Sequence, residues 1–575
     1  MTLTAGLSHW RASNDGILLR DITLGHLLAT TADRFAGRSA VIFDETSLQV
    51  DWTYAELNHR VDELAKGLMA LGIRRHDRVA VLSPNRPEWL LLEYALARVG
   101  AVLVTVNPSF RRSELDYLLT QGRIAALFCV GAFRGFNIGR MIEEMLPELA
   151  EATDGMLTNP ANYPDLRRVV CIGGDVITGA MAFADLATRA TTVSDADLEQ
   201  CSAQVRPRDI AQVQYTSGTT GKPKGVMVSA GAVASYIEAM RGWYDFGPDD
   251  RAAETCDITF DLSVHNMLMT WQAGACLHIM RPLDLVTPAR FIDKHQITTW
   301  LSVPSLVGIM KQTGKLAPGS LPSLRISLFC GEPLPLQVAR DWAAAAPNSI
   351  VDNIYGPTEA TIACLRQPWS EPGVETGIVT RSRDIVAIGD PYPGMKTMIV
   401  DADLNLLPDQ VPGEIALGGR QLAEGYFGQE ALTAERFPTI NGERWYLTGD
   451  RGYRDANGIF HHLGRLDNQV KVNGHRVELE EIDMQMRKAA DTDMACAVAW
   501  PVAHGSAQGI VGFSAGGEAN ADTIRGILRE HLPPHMVPNR VHVLNALPLN
   551  GSGKIDRKAL AVMLDENQAQ PELAS

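Results

Sequence analysis

Paired cysteines are missing from this sequence. Eight cysteines are present, Cys129, Cys171, Cys201, Cys256, Cys276, Cys330, Cys364 and Cys496, yet no two form a CxxC pair. Neither a zinc site nor a disulfide framework organises the chain, and the thiols read as small core residues in a reducing compartment. The opening MTLTAGLSHWRASND has no basic stretch followed by an apolar one, so it does not read as a signal peptide. No uncharged apolar run reaches the roughly 18–20 residues that cross a bilayer. These absences point to the cytoplasm. Basic residues are in deficit: 52 Lys and Arg face 67 Asp and Glu, a formal net charge of −15. That sign disfavours a nucleic-acid or anionic-membrane partner. Repeats and low-complexity segments are also absent.

What is present is a long chain with the composition of a globular protein. Its 575 residues exceed one ordinary hydrophobic core, so two or more domains are expected. From Tyr54 to Gly72, Leu57, Val61, Leu64, Leu68 and Leu71 recur at three- and four-residue steps, which predicts an amphipathic helix ended by glycine. Arg78–Leu82 reads as a buried strand, Trp89–Val99 as a helix and Ala101–Val106 as another strand. This alternation predicts a parallel sheet covered by helices, an α/β fold of layered sheets. It continues over residues 208–365. From about 390 to 465 short strands and turns (Pro391-Tyr-Pro-Gly, Pro412-Gly, Asn441-Gly, Asn457-Gly) predict a small β subdomain. A large domain over 1–466 and a small α+β domain over 467–575 are expected, with the boundary at Asp467.

Chemistry concentrates in Tyr215-Thr-Ser-Gly-Thr-Thr-Gly-Lys-Pro-Lys-Gly225. Glycines let backbone N–H groups approach an anion, and hydroxyls and lysines suit phosphate oxygens. A flexible loop of the same composition would not need two lysines after a strand-like Ile210-Ala-Gln-Val-Gln. The spacing is not that of a P-loop NTPase: two residues separate Gly218 from Gly221-Lys222, and Pro223 stands where Ser or Thr must hold magnesium.

TSGTTGKPKG resembles the signature of the adenylate-forming superfamily, which includes acyl-CoA synthetases, luciferases and the adenylation domains of nonribosomal peptide synthesis. Nine further segments follow that family's order: Trp52-Thr-Tyr-Ala-Glu-Leu, Asn353-Ile-Tyr-Gly-Pro-Thr-Glu359, Gly413-Glu-Ile-Ala-Leu-Gly-Gly, Glu424-Gly-Tyr-Phe, Tyr446-Leu-Thr-Gly-Asp450, Gly464-Arg-Leu-Asp467, the hairpin sequence after Asp467, Leu532-Pro-Pro-His-Met-Val-Pro and Asn550-Gly-Ser-Gly-Lys-Ile-Asp-Arg. The resemblance implies that ATP is held by Thr216, Ser217, Gly218, Thr219, Thr220, Gly221, Lys224, Gly331, Glu332, Asn353, Tyr355, Gly356, Thr358, Asp450 and Arg465. Tyr355 would stack on adenine, Asp450 would accept from the ribose hydroxyls, and Glu359 would hold Mg²⁺. Lys554 would bridge the substrate carboxylate and the α-phosphate, with Thr216 and Glu359 also placed in the catalytic set. Asp467 would be the hinge of a mobile C-terminal domain, and Gly474 would lie where a pantetheine arm passes. One departure stands out: Ser229-Ala230 occupies a place where many relatives have histidine.

Phe260-Asp-Leu-Ser-Val-His-Asn resembles the motif that opens an amino-acid pocket. Asp261 falls where α-amino-acid enzymes carry the aspartate that pairs with the ammonium, and a carboxylate in an apolar pocket needs such a cation. The same resemblance makes Leu262, His265, Ser302, Leu328, Cys330, Ile354, Ile362 and Ala363 the pocket wall. It would have no formal charge beyond Asp261 unless His265 is protonated, and it suits a small neutral amino acid. The residues from Ser83 to Tyr117 look more like fatty-acyl CoA synthetases, so a fatty- or aryl-acid CoA ligase is the rival. A degenerate adenylate-binding module is the non-enzymatic rival, opposed by the intact Lys554, Glu359 and Asp450. Gln469-Val-Lys-Val-Asn-Gly-His-Arg-Val-Glu-Leu looks like users of carrier proteins, and only residues 555–575 follow Lys554. A stand-alone enzyme loading a separate carrier protein, or CoA in the rival reading, is therefore expected.

Overall fold

The computed structural model describes residues 9–11, 23–45, 48–158, 160–216, 223–312, 314–467, 469–504, 506–517, 519–549 and 555–572. They fall into two compact units. The first holds the described residues up to Pro108 and those of Leu118–Tyr215 and Gly225–Gly464; the second holds Ser109–Tyr117, Thr216, Pro223, Lys224 and those from Arg465 onward.

Local chemistry sets the elements of the first unit. The expected helix forms as Tyr54–Ala70 and opens on a capping box: the Thr53 side chain accepts from the Glu56 N–H while Glu56 Oε2 accepts from the Thr53 N–H at 2.8 Å. Leu57, Val61, Leu64, Leu68 and Leu71 are all buried. The next helix, Pro87–Val99, starts two residues before the predicted one because proline suits the first helical turn. It ends at Gly100 with φ +73°, a conformation that glycine adopts without penalty.

Two large sheets follow. One runs in the order Met181–Ala182, Arg168–Ile172, Ala126–Val130, Arg78–Leu82, Val102–Val106, Ile210–Thr216, Lys224–Ser229 and Gly425–Tyr426. Its strands from Met181–Ala182 to Ile210–Thr216 pair in parallel, and Ala126–Val130 and Val102–Val106 are buried at every residue, as sheets covered on both faces require. The other runs Asp390–Pro391, Leu365–Pro368, Ile350–Tyr355, Ile326–Phe329, Thr299–Ser302, Arg251–Glu254, Cys276–Ile279, Ser39–Glu45 and Leu48–Thr53. The six strands from Ile350–Tyr355 to Ser39–Glu45 are mutually parallel. A core including Trp300, Phe329, Trp342, Ile292 and Met310 packs against this sheet. An antiparallel sheet joins Met395–Val400, Gly413–Gly419, Glu443–Arg454 and Phe460–Arg465, with His9–Arg11 and Thr439–Ile440 at its edges.

The second unit opens with a hairpin, Gln469–Val472 against His475–Glu478. Its turn is Asn473 (φ +49°) and Gly474 (φ +84°), the left-handed pair that matches strand twist. Helices Leu479–Ala490 and Ala521–His531 then share a core with the strand Ala495–Ala499 through Ile482, Met486, Ala497, Ile524 and Leu528.

His278 is an instructive misfit in the first unit. It sits buried in Cys276–Ile279, its ring 5.0 Å from that of His295, and neither ring nitrogen has a hydrogen-bond partner among the described residues. Burial, helped by His295, pushes its pKa down to about 3. The unfolded chain binds this proton below about 6.5 and the folded chain does not, so the contribution is complete above that pH and is lost towards 3. His278→Leu is expected to lose less stability than wild type between pH 7 and 4.5 in denaturant titrations. An unchanged pH slope would refute this.

Candidate active site

Several of the predicted site residues of the first unit lie at or near the carboxyl ends of its parallel strands, where open α/β sheets bind ligands. Thr299–Ser302, Ile326–Phe329 and Ile350–Tyr355 are neighbours in register: Ser302 pairs with Phe329, and Phe329 with Asn353. Three of the predicted wall residues, Ser302, Leu328 and Ile354, lie on these strands, and Cys330 follows the middle one. Arg251–Glu254 leads through a short loop to the helix Asp261–Gln272, which carries Asp261, Leu262 and His265. The capping position is Phe260, so Asp261 is not the helix cap; it lies in the first turn, where the helix dipole favours a carboxylate.

His265 is buried, and its pKa is pushed down to about 3 by burial. The ring is therefore neutral at physiological pH, and the wall gains no second formal charge. Its Nδ1 meets the Tyr236 hydroxyl at 2.7 Å. Behind it, Tyr236 stacks on Tyr392 with ring centroids 6.0 Å apart, and Trp243 meets Tyr392 edge-on at 4.7 Å. Arg366 lies 4.0 Å over the Trp243 ring and pairs at 3.4 Å with buried Asp352. This aromatic backing was not anticipated; Tyr236 and Trp243 belong to no quoted segment, and Tyr392 was read only as part of a turn.

The strand Ile350–Tyr355 carries Asn353, whose amide donates to the carbonyls of Ala387 (2.8 Å) and Val386 (3.3 Å). Tyr355 O–H donates to Asp450 Oδ2 at 2.5 Å, and His462 Nε2 lies 3.3 Å from Asp450 Oδ1. Arg383 stands 2.8 Å from His462 Nδ1. A guanidinium only donates, so Nδ1 accepts and the imidazole proton belongs on Nε2, facing the carboxylate. His462 and Arg383 were missed by the sequence reading; the signal was the His461-His462 pair a few residues after Asp450.

Past the strand, the bend at Gly356 is tight: a Cβ there would sit 2.5 Å from the Ala363 Cα. Thr358 and Glu359 form a short turn of helix. Glu359 is wholly buried, and one carboxylate oxygen accepts from the Tyr426 hydroxyl at 2.9 Å. Thr361 and Ile362 follow at φ +56° and +70°, then Ala363. Gly331 needs its φ of +85°, and Glu332 accepts from the Ser305 N–H at 3.0 Å. Ser229, at the expected histidine position, caps the helix Ala230–Arg241 by accepting from the Ala232 N–H.

Thr216 ends the strand Ile210–Thr216, and Lys224 begins the next. Ser217, Gly218, Thr219, Thr220 and Gly221 lie outside the described residues, as does Lys554. In the second unit Arg465 forks onto Asp467, with N···O distances of 2.9 and 2.6 Å.

The sequence profile of the AMP-binding enzyme family matches residues 28–427. The chain belongs to that family. It is an adenylate-forming ligase, related to adenylation domains and acyl-CoA synthetases. Tyrocidine synthase 3 of Brevibacillus parabrevis is 30% identical over 547 residues, which cover 94% of this chain and 8% of that protein. Enterobactin synthase component F of Escherichia coli (strain K12) is 31% identical over 90% of this chain and 38% of its own length. The chain thus spans a small part of these multidomain relatives. YngI of Bacillus subtilis (strain 168), which bears an acyl-CoA synthetase name, is 28% identical over 94% of this chain and 96% of its own. The solved structure of the Vibrio cholerae adenylation domain AlmE, in complex with glycyl-adenosine-5'-phosphate, matches with TM-score 0.78 and 27% identity, covering 96% of this chain and all of that one. Among the described residues no helix of this AMP-binding enzyme is long and apolar enough to cross a membrane.

Removing the Tyr426 hydroxyl takes a donor from a buried carboxylate. Tyr426→Phe is expected to destabilise the protein by about 1–3 kcal/mol in denaturant titrations. An unchanged midpoint would mean that this bond does not hold Glu359.

Proposed function

We propose that this enzyme activates a small neutral amino acid as its aminoacyl-AMP and passes it to the phosphopantetheine thiol of a carrier protein. The observation that carries the substrate class is Asp261 in the first turn of Asp261–Gln272, beside a wall whose histidine is neutral. The helix dipole favours the ionised form of a carboxylate so placed, and a substrate ammonium would pair with it. The glycyl-adenylate bound by AlmE supports the same class of acid.

In the first half-reaction a substrate carboxylate oxygen attacks the α-phosphorus of ATP and pyrophosphate leaves. Lys554 is assigned the cation that offsets charge building between carboxylate and phosphate. Tyr355 offers its ring to adenine and Asp450 accepts from the ribose hydroxyls, held for that by Tyr355 and His462. Magnesium fits Glu359: it binds nucleotides through one or two carboxylates, with phosphates and water in its other positions. When bound it would neutralise phosphate charge as pyrophosphate departs. In the second half-reaction the thiol attacks the acyl carbon and AMP leaves. The hairpin around Asn473–Gly474, similar in sequence to carrier users, supports a carrier over CoA. YngI's near-full-length match favours the second reading, a CoA ligase.

Pyrophosphate exchange over amino, β-amino, fatty and aryl acids tests the acid. Amino acids are expected to support exchange, and Asp261→Ala to reduce it about a hundredfold. Exchange with fatty acids alone would reject the proposal. Lys554→Ala should slow adenylation by about 10²–10³ while sparing thioester formation from preformed adenylate. Equal loss of both steps would reject its assignment.

A further inference from the structure

The turn that carries Ile362 and Ala363 is under strain. Ala363 N–H donates to the Thr361 carbonyl at 2.9 Å, closing a three-residue turn about Ile362 with φ +70°. This positive-φ form of the γ-turn is rare and strained, and a β-branched residue is its least suited occupant. Thr361, also β-branched, precedes it at φ +56°. Such backbone persists only where its surroundings over-determine it.

One side chain braces this turn. Gln421 is 1% exposed, and its Nε2 lies 2.7 Å from the Ala363 carbonyl, 3.3 Å from that of Thr361 and 3.4 Å from that of Ala360. The Gln421 backbone carbonyl in turn accepts from the Thr361 hydroxyl at 2.6 Å. Three converging acceptors fix the carboxamide's orientation, since only its nitrogen donates. Gly356 closes the other side of the turn, backbone against backbone.

We infer that Gln421 is a positioning residue for acid selection: its carboxamide clamps the strained turn and so sets where Ile362 and Ala363 stand. The inference rests on the reading that these two residues wall the acid pocket. Gln421 touches neither acid nor nucleotide in this role; it acts through the turn. Without the clamp the turn relaxes toward ordinary φ, Ile362 shifts, and the fit to the preferred acid is lost while the nucleotide's segments keep their own bonds.

The test is pyrophosphate exchange by the full chain with glycine, L-alanine, L-valine, L-leucine, hexanoate and benzoate. KM for acid and for ATP are measured separately, with thermal midpoints alongside. Gln421→Met should raise KM for the best wild-type acid about tenfold, and change the ranking of the six acids, with KM for ATP within about twofold of wild type. Gln421→Asn, too short to reach the carbonyls, should do the same and serves if the methionine variant folds poorly. In a Thr361→Gly background, where glycine tolerates the positive φ, Gln421→Met should have a smaller further effect. An unchanged ranking, or KM values for acid and ATP rising together, would overturn the inference. Ile362→Ala separates the two levels. If it leaves the ranking unchanged, the wall reading fails; if it alters the ranking and Gln421→Met does not, the wall stands and the clamp is wrong.

Discussion

Burying a polar group is costly unless it is hydrogen-bonded, and the segment from Gln421 to Tyr426 supplies such bonds for much of this site. Gln421 holds the carbonyls of the 360–363 turn, Ala423 N–H donates to the Glu359 carbonyl, and Tyr426 O–H donates to the Glu359 carboxylate. The same segment pairs with the strand Lys224–Ser229: Val226 faces Tyr426 and Met227 faces Gly425. Candidate acid wall, candidate metal carboxylate and the strand after the phosphate loop are thereby tied to one short stretch of backbone. A shift there would reach all of them, because buried bonds of this kind have no water to replace them.

Around the candidate nucleotide site a second network works by charge. Asp450 has Tyr355 on one oxygen and His462 on the other, and Arg383 fixes the tautomer of His462. A carboxylate so bracketed is held in one rotamer, the preorganisation that its proposed role toward vicinal hydroxyls asks for. The wall behind Asp261 works in the opposite sense. Burial keeps His265 neutral, and Tyr236, Tyr392 and Trp243 form an aromatic layer behind it.

Much of this was legible beforehand. The helices after Thr53 and Arg86 follow from capping chemistry, apolar spacing and terminal glycines, all local. The strands Arg78–Leu82 and Val102–Val106 follow from runs that only a sheet covered on both faces can bury. The ordered motifs marked Asn353, Tyr355, Glu359 and Asp450. What was not legible depends on pairs far apart in the chain: Tyr236 with His265, Arg383 with His462, Tyr426 with Glu359, Gln421 with Ala363. Nothing in the sequence near Gln421 distinguishes it from a surface glutamine.

The sequence by itself determined the family, the α/β class and the segments that carry the chemistry, because glycine conformation, strand periodicity and motif order are local or nearly so. Only the tertiary structure decided the charge on His265, the tautomer of His462 and the strain at Ile362. Each is a consequence of burial or of a partner brought from a distant part of the chain. Dielectric environment and long-range contact exist only once the sheets have assembled.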